Sequence, residues 1–303
     1  MIPFTTPPIY PPTTPPRFAS MVKRAGEHGH DGCRIGLIGL PDDTGVTMNG
    51  GRPGAKDGPR AFREALARFG TANPMLPARA YPGVYDCGDL TPGDSLYETH
   101  DRVTHAVQNI LDAGLFPIAI GGGHDLTFPF VRAAVNRAGV RCGIYFDAHL
   151  DVREEPGSGM PFRSLIQQCA VERLVCIGAE PLVNSAEHGA WFLTHGGLIV
   201  DRRQLAQADA IAAGATWPDA PLFVSLDMDV FPAADAPGVS ATNPVGVSPS
   251  WIEHLVHRAG SNTRVACFDI MELNPAFDQD QRTARLAVCM FLTFLQGFAL
   301  RDQ

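Results

Sequence analysis

Residues 115–151 have the sequence LFPIAIGGGHDLTFPFVRAAVNRAGVRCGIYFDAHLD, and this stretch predicts the fold. Its two apolar runs, 115–120 and 142–146, are continuous rather than alternating, which is typical of strands buried on both faces. Residues 126–139 between them are predicted to form a helix that ends at Gly139, because glycine is favoured just after a helix. A helix that connects two buried strands indicates a parallel pair.

The same alternation continues on both sides of this stretch. Further helical candidates lie at 58–70 and 95–114, where Gly70 and Gly114 stand at the expected C-terminal ends. Six further strand candidates are the apolar runs 34–40, 83–87, 173–179, 197–200, 221–226 and 264–270. We therefore expect an α/β fold in which helices cover both faces of one parallel sheet of roughly eight strands.

Two regions are expected along the chain. Residues 34–303 are predicted to form a single domain, and residues 1–33 are predicted to be a proline-rich N-terminal arm and lead-in. The seven prolines within residues 1–16 are incompatible with a helix or a central strand. The arm could wrap a neighbouring subunit or be a loosely ordered tail, and the sequence leaves both options open.

Composition limits the partners of the chain. Its 303 residues include 24 basic and 32 acidic side chains, a formal net charge of −8, so no nucleic-acid partner is expected. Seven scattered cysteines without a C-x-x-C pair favour buried, reduced thiols. No apolar stretch reaches the length of a membrane span and no secretory signal is visible, so we expect a cytoplasmic protein without a membrane partner.

Charged side chains follow three of the predicted strands. GGGHD follows 115–120, DAHLD follows 142–146 and DMD follows 221–226. Because the carboxyl ends of parallel strands meet at one edge of a sheet, these side chains are expected to lie close together. Mixed carboxylate and imidazole donors suit divalent metals, and six donors fit a pair of ions better than one. The expected metal ligands are His124, Asp147, His149, Asp151, Asp227 and Asp229.

Four motifs in this sequence resemble those of a known family. GGGHD (121–125), FDAHLD (146–151), SLDMDVF (225–231) and MELNP (271–275) occur in the order found in the arginase–agmatinase ureohydrolase superfamily. Within that superfamily, NGGRPGA (49–55), SGMPFR (158–163) and APGVSA (236–241) are most similar to the formimidoylglutamases of histidine degradation. Ser158 stands where arginases and agmatinases carry a histidine, which weakens an assignment to either of them.

This resemblance implies a fold, a cofactor and an assembly. The fold is a three-layer α/β/α sandwich with an eight-stranded parallel sheet, and the assembly is a homo-oligomer, a trimer or a hexamer. The cofactor is two Mn²⁺ ions, with Asp147 and Asp227 bridging. One ion would be held by His124, Asp147, Asp151 and Asp227, and the other by Asp147, His149, Asp227 and Asp229.

The resemblance also implies an activity on a small amidine or guanidine. The expected reaction is hydrolysis of a C–N bond in N-formimidoyl-L-glutamate, which gives L-glutamate and formamide. The alternative is a ureohydrolase that releases urea from a guanidino acid or amine. A non-catalytic metal-binding protein is a further alternative, against which the complete ligand set argues. A flavodoxin-like nucleotide-binding module is remote, because no G-x-G-x-x-G or Walker loop follows a strand.

Two carboxylates are expected to be catalytic. Glu272 would accept two N–H bonds from the substrate, and Asp151 would pass a proton to the leaving nitrogen. Glu272 is therefore also a substrate-binding residue, and Ser158 is a second one. Asp125 is expected to anchor its loop or to orient His124.

An acidic substrate would also need a cationic side chain in the site. Arg52 and Arg163 are predicted first as the residues that bind its carboxylates, with Arg153 and Arg282 as further candidates. The eight histidines outside the cluster, among them His100, are predicted to be ordinary surface or helix residues.

Overall fold

The computed structural model describes residues 2–13, 17–72, 81–204 and 220–301. Within these ranges ten strands form a single sheet. The strands are β1 (Thr5–Thr6), β2 (Lys23–Arg24), β3 (Ile35–Leu40), β4 (Val84–Leu90), β5 (Phe116–Gly121), β6 (Cys142–Phe146), β7 (Arg173–Ala179), β8 (Gly197–Asp201), β9 (Leu222–Asp227) and β10 (Val265–Met271).

Eight α-helices lie within the same ranges. They are α1 (Thr44–Met48), α2 (Gly58–Leu66), α3 (Leu96–Asp112), α4 (Thr127–Ala138), α5 (Pro161–Cys169), α6 (Ala186–Thr194), α7 (Pro249–Ser261) and α8 (Arg282–Phe298). No described helix has both the length and the apolar character that a membrane crossing requires.

The strands from β3 to β10 form the predicted eight-stranded parallel sheet. They lie in the order β4-β3-β5-β10-β9-β6-β7-β8, and each pair of neighbours is parallel. Strands β5, β10, β9 and β6 occupy consecutive places in the middle of the sheet. The loops that follow them therefore open side by side at the same edge.

Helices cover both faces of the sheet. Strand side chains alternate between the two faces, so Ile118 and Ile120 of β5 belong to one core and Ala119 belongs to the other. The first core includes side chains of α2, α7 and α8, and the second includes side chains of α3, α4 and α5. This arrangement confirms the three-layer α/β/α sandwich.

The predicted helix ends agree with the structure at two of three positions. Gly114 and Gly139 follow α3 and α4 and have left-handed φ values of 74° and 66°. The helix predicted over 58–70 instead ends at Leu66, four residues before Gly70. The amides of Arg68 and Phe69 bond to carbonyls three residues back, so a tighter turn replaces the last helical turn.

The described part of the N-terminal arm packs on its own chain. β1 pairs antiparallel with β4 and β2 pairs parallel with β4, so two short strands extend the predicted eight. Without them β4 would be an exposed sheet edge, which offers unpaired backbone groups to other chains. Tyr10 of the arm donates a 2.6 Å hydrogen bond to the buried Asp86, which also accepts from Arg63.

Candidate metal centre

The four motifs lie at the ends of the four central strands. His124 lies in a short 3₁₀ turn (His124–Leu126) after β5, Asp147 directly follows β6, and Asp227 is the last residue of β9. Glu272 directly follows β10. The glycines after β5 permit this close approach, because a Cβ at Gly122 would collide with the carbonyl oxygen of Asp42.

Three carboxylates converge on one ring nitrogen of His124. Its Nδ1 lies 3.2 Å from Asp147 Oδ2, 2.9 Å from Asp151 Oδ2 and 3.1 Å from Asp227 Oδ2. A ring nitrogen carries one proton or one lone pair, so it cannot satisfy three oxygens by hydrogen bonding. Donor atoms of these four residues all lie within 4.8 Å of one another, which is an arrangement that can enclose an ion.

A second group shares Asp147 with the first. It consists of Asp147, His149 and Asp229, whose donor atoms also lie within 4.8 Å of one another. His149 Nδ1 is 2.9 Å from Asp229 Oδ2 and 3.5 Å from Asp147 Oδ1. The structure therefore brings all six predicted ligands together and places Asp147 between the two groups. Asp227 falls in the first group, and its bridging to the second stays a prediction.

The electrostatics of this cluster favour cations. Asp147 Oδ2 is buried without a hydrogen-bond partner among the described residues. Burial, together with the nearby charges of Asp151 and Asp229, raises the pKa of Asp147 to about 6. Burial and the Asp229 charge likewise raise the pKa of Asp227 well above its ordinary value. A divalent ion in each group would offset this repulsion, so the donor set fits two metal ions.

Asp151 and Glu272 have strained backbones. Their φ values of 46° and 63° lie in the left-handed region, which non-glycine residues adopt at an energetic cost. Glu272 is held there by two contacts, since its amide donates to Gly122 O at 2.8 Å and its Oε1 accepts from the His124 amide at 2.9 Å. Such strain is typical of functional sites, where the surrounding structure fixes a side chain in a chosen direction.

The second oxygen of Glu272 is available to a ligand. Oε2 is buried and has no hydrogen-bond partner among the described residues. Burial raises the pKa of Glu272 to about 8, because the site removes water from the carboxylate. A cationic ligand would favour the ionised form and form a charge-assisted hydrogen bond with it.

A pocket opens above both groups and Glu272. The predicted substrate-binding Ser158 lines it, and so do Asn49 and Ser240, which the sequence analysis did not select. Asn49 Oδ1 accepts from the Gly159 amide at 2.7 Å and so holds the loop that carries Ser158. Asn49 lies in the NGGRPGA segment and Ser240 in the APGVSA segment, so the resemblance to formimidoylglutamases was the available signal for both.

The four candidate arginines differ in their contacts. Arg52 donates to the carbonyls of Ser240 and Val239, at 3.0 and 2.6 Å, and lies over the Phe277 ring. Its guanidinium is therefore occupied by the protein.

Arg163 and Arg282 are occupied in the same way. Arg163 donates to Val152 O, pairs with Glu154 at 3.2 Å and lies over the Trp191 ring. Arg282 donates to Ala234 O at 2.6 Å.

Arg153 lines the pocket instead. It is exposed, and its guanidinium makes no hydrogen bond or ion pair within the described part of the chain. Sequence spacing could not rank the four arginines, because the partners of Arg52, Arg163 and Arg282 belong to other segments of the fold.

Two further side chains support the His124 turn. His100, predicted as an ordinary helix residue, is buried on α3, and its Nε2 lies 2.9 Å from Asp125 Oδ2. Asp125 thus anchors the loop, which is one of its two predicted roles. Asp269 is the second side chain: it accepts a hydrogen bond from Ser225, which in turn contacts His124 Nε2. The sequence analysis did not select Asp269. A carboxylate inside the apolar run 264–270 was nevertheless a signal, because burying a charge without a partner is costly.

Comparison with known proteins agrees with this fold and this cluster. The sequence model of the arginase family matches residues 33–296, and the chain belongs to this family. A formimidoylglutamase of Ralstonia nicotianae is 34% identical over 288 residues, which cover 88% of this chain and 85% of the relative.

Solved structures give the same result. A formiminoglutamase of Trypanosoma cruzi, crystallised with Mn²⁺, superposes with a TM-score of 0.85 at 34% identity, and the match covers 94% of this chain and 99% of the other. The proclavaminate amidino hydrolase of Streptomyces clavuligerus superposes with a TM-score of 0.81 at 25% identity, over 94% and 97% of the two chains. The predicted family and the arginase-like sandwich are both confirmed.

Proposed function

We propose that this chain hydrolyses the C–N bond of N-formimidoyl-L-glutamate and releases L-glutamate and formamide. One observation carries the proposal: four of the six metal-type donors line a pocket together with Glu272 and Arg153. Within the described part of the chain, Glu272 Oε2 and the Arg153 guanidinium have no hydrogen-bond partner. These groups match a substrate that has a cationic amidine at one end and carboxylates at the other. The 34% sequence identity to a formimidoylglutamase and to a formiminoglutamase supports the same substrate.

Two Mn²⁺ ions are the proposed cofactor. His124, Asp147, Asp151 and Asp227 would hold one, and Asp147, His149 and Asp229 would hold the other. The resemblance adds Asp227 to the second set. Paired divalent ions supply Lewis acidity that lowers the pKa of water toward neutrality. Mixed nitrogen and oxygen donors suit manganese, and the T. cruzi relative was crystallised with it.

Glu272 would bind and orient the amidine. Oε2 can accept one N–H of the cation, and Oε1 keeps a second lone pair after it accepts from the His124 amide. Two N–H bonds to one rigid carboxylate fix the plane of the amidine and the position of its central carbon. The strained backbone at Glu272 keeps this carboxylate aimed into the pocket.

Asp151 would move the proton. Its side chain is partly accessible, and it lines the same pocket as Glu272. It would accept a proton from the attacking water and deliver it to the leaving nitrogen, which departs with the amino acid. Ser158, on the loop held by Asn49, would form a further polar contact with the substrate.

Arg153 would bind a substrate carboxylate. It is the one arginine on the pocket wall among the described residues, and the other three candidates are engaged elsewhere. The aliphatic part of its side chain packs over Gly159, where an added Cβ would lie 2.8 Å from Arg153 Cδ. The hydrogen bond between Asn49 and the Gly159 amide therefore also fixes the backbone against which Arg153 packs.

A ureohydrolase that acts on a guanidino acid or amine is the second candidate. It is supported by the likeness to the proclavaminate amidino hydrolase, whose name describes cleavage of an amidino group. Glu272 would bind a guanidinium as well as an amidinium, so the carboxylate alone does not separate the two. Ser158, in place of a histidine, favours the formimidoyl substrate.

Product identification tests the proposal. Protein loaded with Mn²⁺ would be incubated with formimidoylglutamate, arginine, agmatine and guanidinobutyrate, and the products would be identified by NMR. We expect formamide and glutamate from the first substrate and no turnover by an Asp147→Asn control. Urea from a guanidine would establish the second candidate, and Mn²⁺ binding without any turnover would favour a non-catalytic metal-binding protein.

Further properties follow from this assignment as proposals. The reaction would place the protein in histidine degradation, in the cytoplasm. A homo-oligomer, trimer or hexamer, is proposed from the resemblance. A single domain over residues 34–303 with a proline-rich segment before it is proposed from the sequence, and the packing of β1 and β2 on β4 supports a structural role for that segment.

A further inference from the structure

A buried chain of hydrogen bonds leads from His124 away from the carboxylate cluster. His124 Nε2 lies 3.0 Å from Ser225 Oγ, and Ser225 Oγ donates to Asp269 Oδ1 at 2.5 Å. All three side chains are buried, with 1% or less of their surface exposed. Ser225 on β9 and Asp269 on β10 are directly paired in the sheet, and His124 follows the neighbouring β5. Three adjacent strands thus position the three side chains of this hydrogen-bond series.

The direction of each hydrogen bond follows from the number of hydrogens. Ser225 has one hydroxyl hydrogen, and its 2.5 Å contact with the Asp269 carboxylate uses it. The Ser225 oxygen can then only accept from His124, so His124 Nε2 carries a hydrogen and donates it. A neutral His124 with its hydrogen on Nε2 has its lone pair on Nδ1.

That lone pair points to where a cation fits. Nδ1 lies 2.9–3.2 Å from one oxygen each of Asp147, Asp151 and Asp227. Without a cation, the nitrogen lone pair and the three carboxylates repel one another. A cation placed between these four atoms attracts all of them.

We propose that Ser225 and Asp269 are positioning residues that fix His124 as an Nδ1 metal ligand. Asp269 orients the Ser225 hydroxyl, Ser225 accepts the Nε2 hydrogen, and His124 then presents Nδ1 to the first group of ligands. Partners of this kind raise the basicity of a ligating imidazole and fix its ring plane, and their removal typically weakens metal binding about 10–100-fold. This inference rests on the proposed metal centre and deepens it.

Measured Mn²⁺ binding tests the inference independently of turnover. Free Mn²⁺ would be quantified by its EPR signal during titration of the wild type and of Ser225→Ala. We expect one of the two Mn²⁺ ions to bind the variant about 10–100-fold more weakly, and the other to bind as in the wild type. Ser164→Ala is the matched control, because Ser164 is also a buried serine but contacts Met160. It should bind both ions as the wild type does.

A second substitution separates positioning from simple loss of structure. Asp269→Asn keeps the shape of the side chain and an acceptor oxygen but removes the charge, so it should weaken Mn²⁺ binding less than Ser225→Ala does. In the Ser225→Ala background, Asp269→Asn should add no further loss, because the connection to His124 is already broken. Urea unfolding of the metal-free proteins would show whether either variant is merely less stable.

The outcomes separate this inference from the proposed function. Wild-type protein that binds no Mn²⁺ would overturn both the metal centre and the positioning role of Ser225 and Asp269. If the wild type binds two Mn²⁺ ions and Ser225→Ala binds both with unchanged dissociation constants, only the positioning role of Ser225 and Asp269 is overturned. Additive losses in the double variant would also overturn it, since they would mean that Ser225 and Asp269 act on the metal separately.

Discussion

Substrate selection by Arg153 gives the sharpest test of how this pocket works. Arg153→Gln removes the guanidinium from the pocket wall and leaves the backbone contact between its amide and Gly159 O intact. We expect a lower kcat/KM for N-formimidoyl-L-glutamate, mainly through KM, because the lost contact exists in both the bound substrate and the transition state. The diamide of the same substrate, which lacks both carboxylates, should be hydrolysed by wild type and variant at similar rates.

The size of this effect follows from the exposure of Arg153. A hydrogen bond between charged partners contributes about 1.5–3 kcal/mol. Arg153 is exposed, so solvent screens the contact and the lower end of that range applies. A loss of about 1.5 kcal/mol corresponds to a decrease of roughly tenfold in kcat/KM. Arg153→Lys keeps the charge but not the planar fork, so its loss should be smaller.

Arg163→Gln is the matched control for this experiment. It also removes one positive charge near the pocket, but the Arg163 guanidinium is held by Val152 O and Glu154. Steady-state kinetics on the acidic substrate and on the diamide would be measured for both variants. Equal losses on both substrates in Arg153→Gln, or a larger loss on the acidic substrate in Arg163→Gln, would refute the assignment of Arg153.

Three other perturbations, one of them with a matched control variant, have defined outcomes. Glu272→Gln keeps the shape of the side chain but loses the charge, so kcat/KM should fall by about 100-fold or more with an unchanged circular dichroism spectrum; near-normal activity would contradict its role in binding the amidine. Arg63→Leu should destabilise the fold by about 3–5 kcal/mol in urea unfolding, because Asp86 is fully buried and would lose its 2.8 Å partner. Arg60→Leu, which breaks the exposed pair with Glu64, should cost less than about 1 kcal/mol, and equal losses would refute the argument from burial. Removal of divalent ions by EDTA should lower the melting temperature, since Mn²⁺ at about 100 times its Kd stabilises the folded state by about 2.7 kcal/mol, and an unchanged melting temperature would count against metal binding.

Much of the fold was predictable because its signal is local. Continuous apolar runs such as 142–146 and 221–226 indicate strands buried on both faces, and the helices between them indicate parallel neighbours. The two strands from the N-terminal arm were not predicted. Their two-residue pairings depend on where the edge of the sheet lies, and no periodicity within the arm shows this.

The candidate site also combines features that were predictable from the sequence with features that were not. The position of Asp147, His149 and Asp151 just after a strand was sufficient to predict that they lie at one edge of the sheet. The bends at Ala148 and His149 and the left-handed backbone of Asp151, which direct these side chains to the two groups, were not predicted. The role of Asp125 was predicted in outline, but its partner His100 was not, because the two residues come from different segments. Asp269 and Ser225 were missed for the same reason, since their pairing exists only between two strands.

The sequence by itself determined the fold class and the set of metal-type donors, because both depend on side-chain spacing within short segments. The tertiary structure decided which strands lie side by side, which arginine is left for a ligand and which neighbours orient His124. Those properties arise when distant segments pack against each other, and Arg52 and Arg163 illustrate this, since carbonyls and rings that only folding brings near them occupy both guanidinium groups.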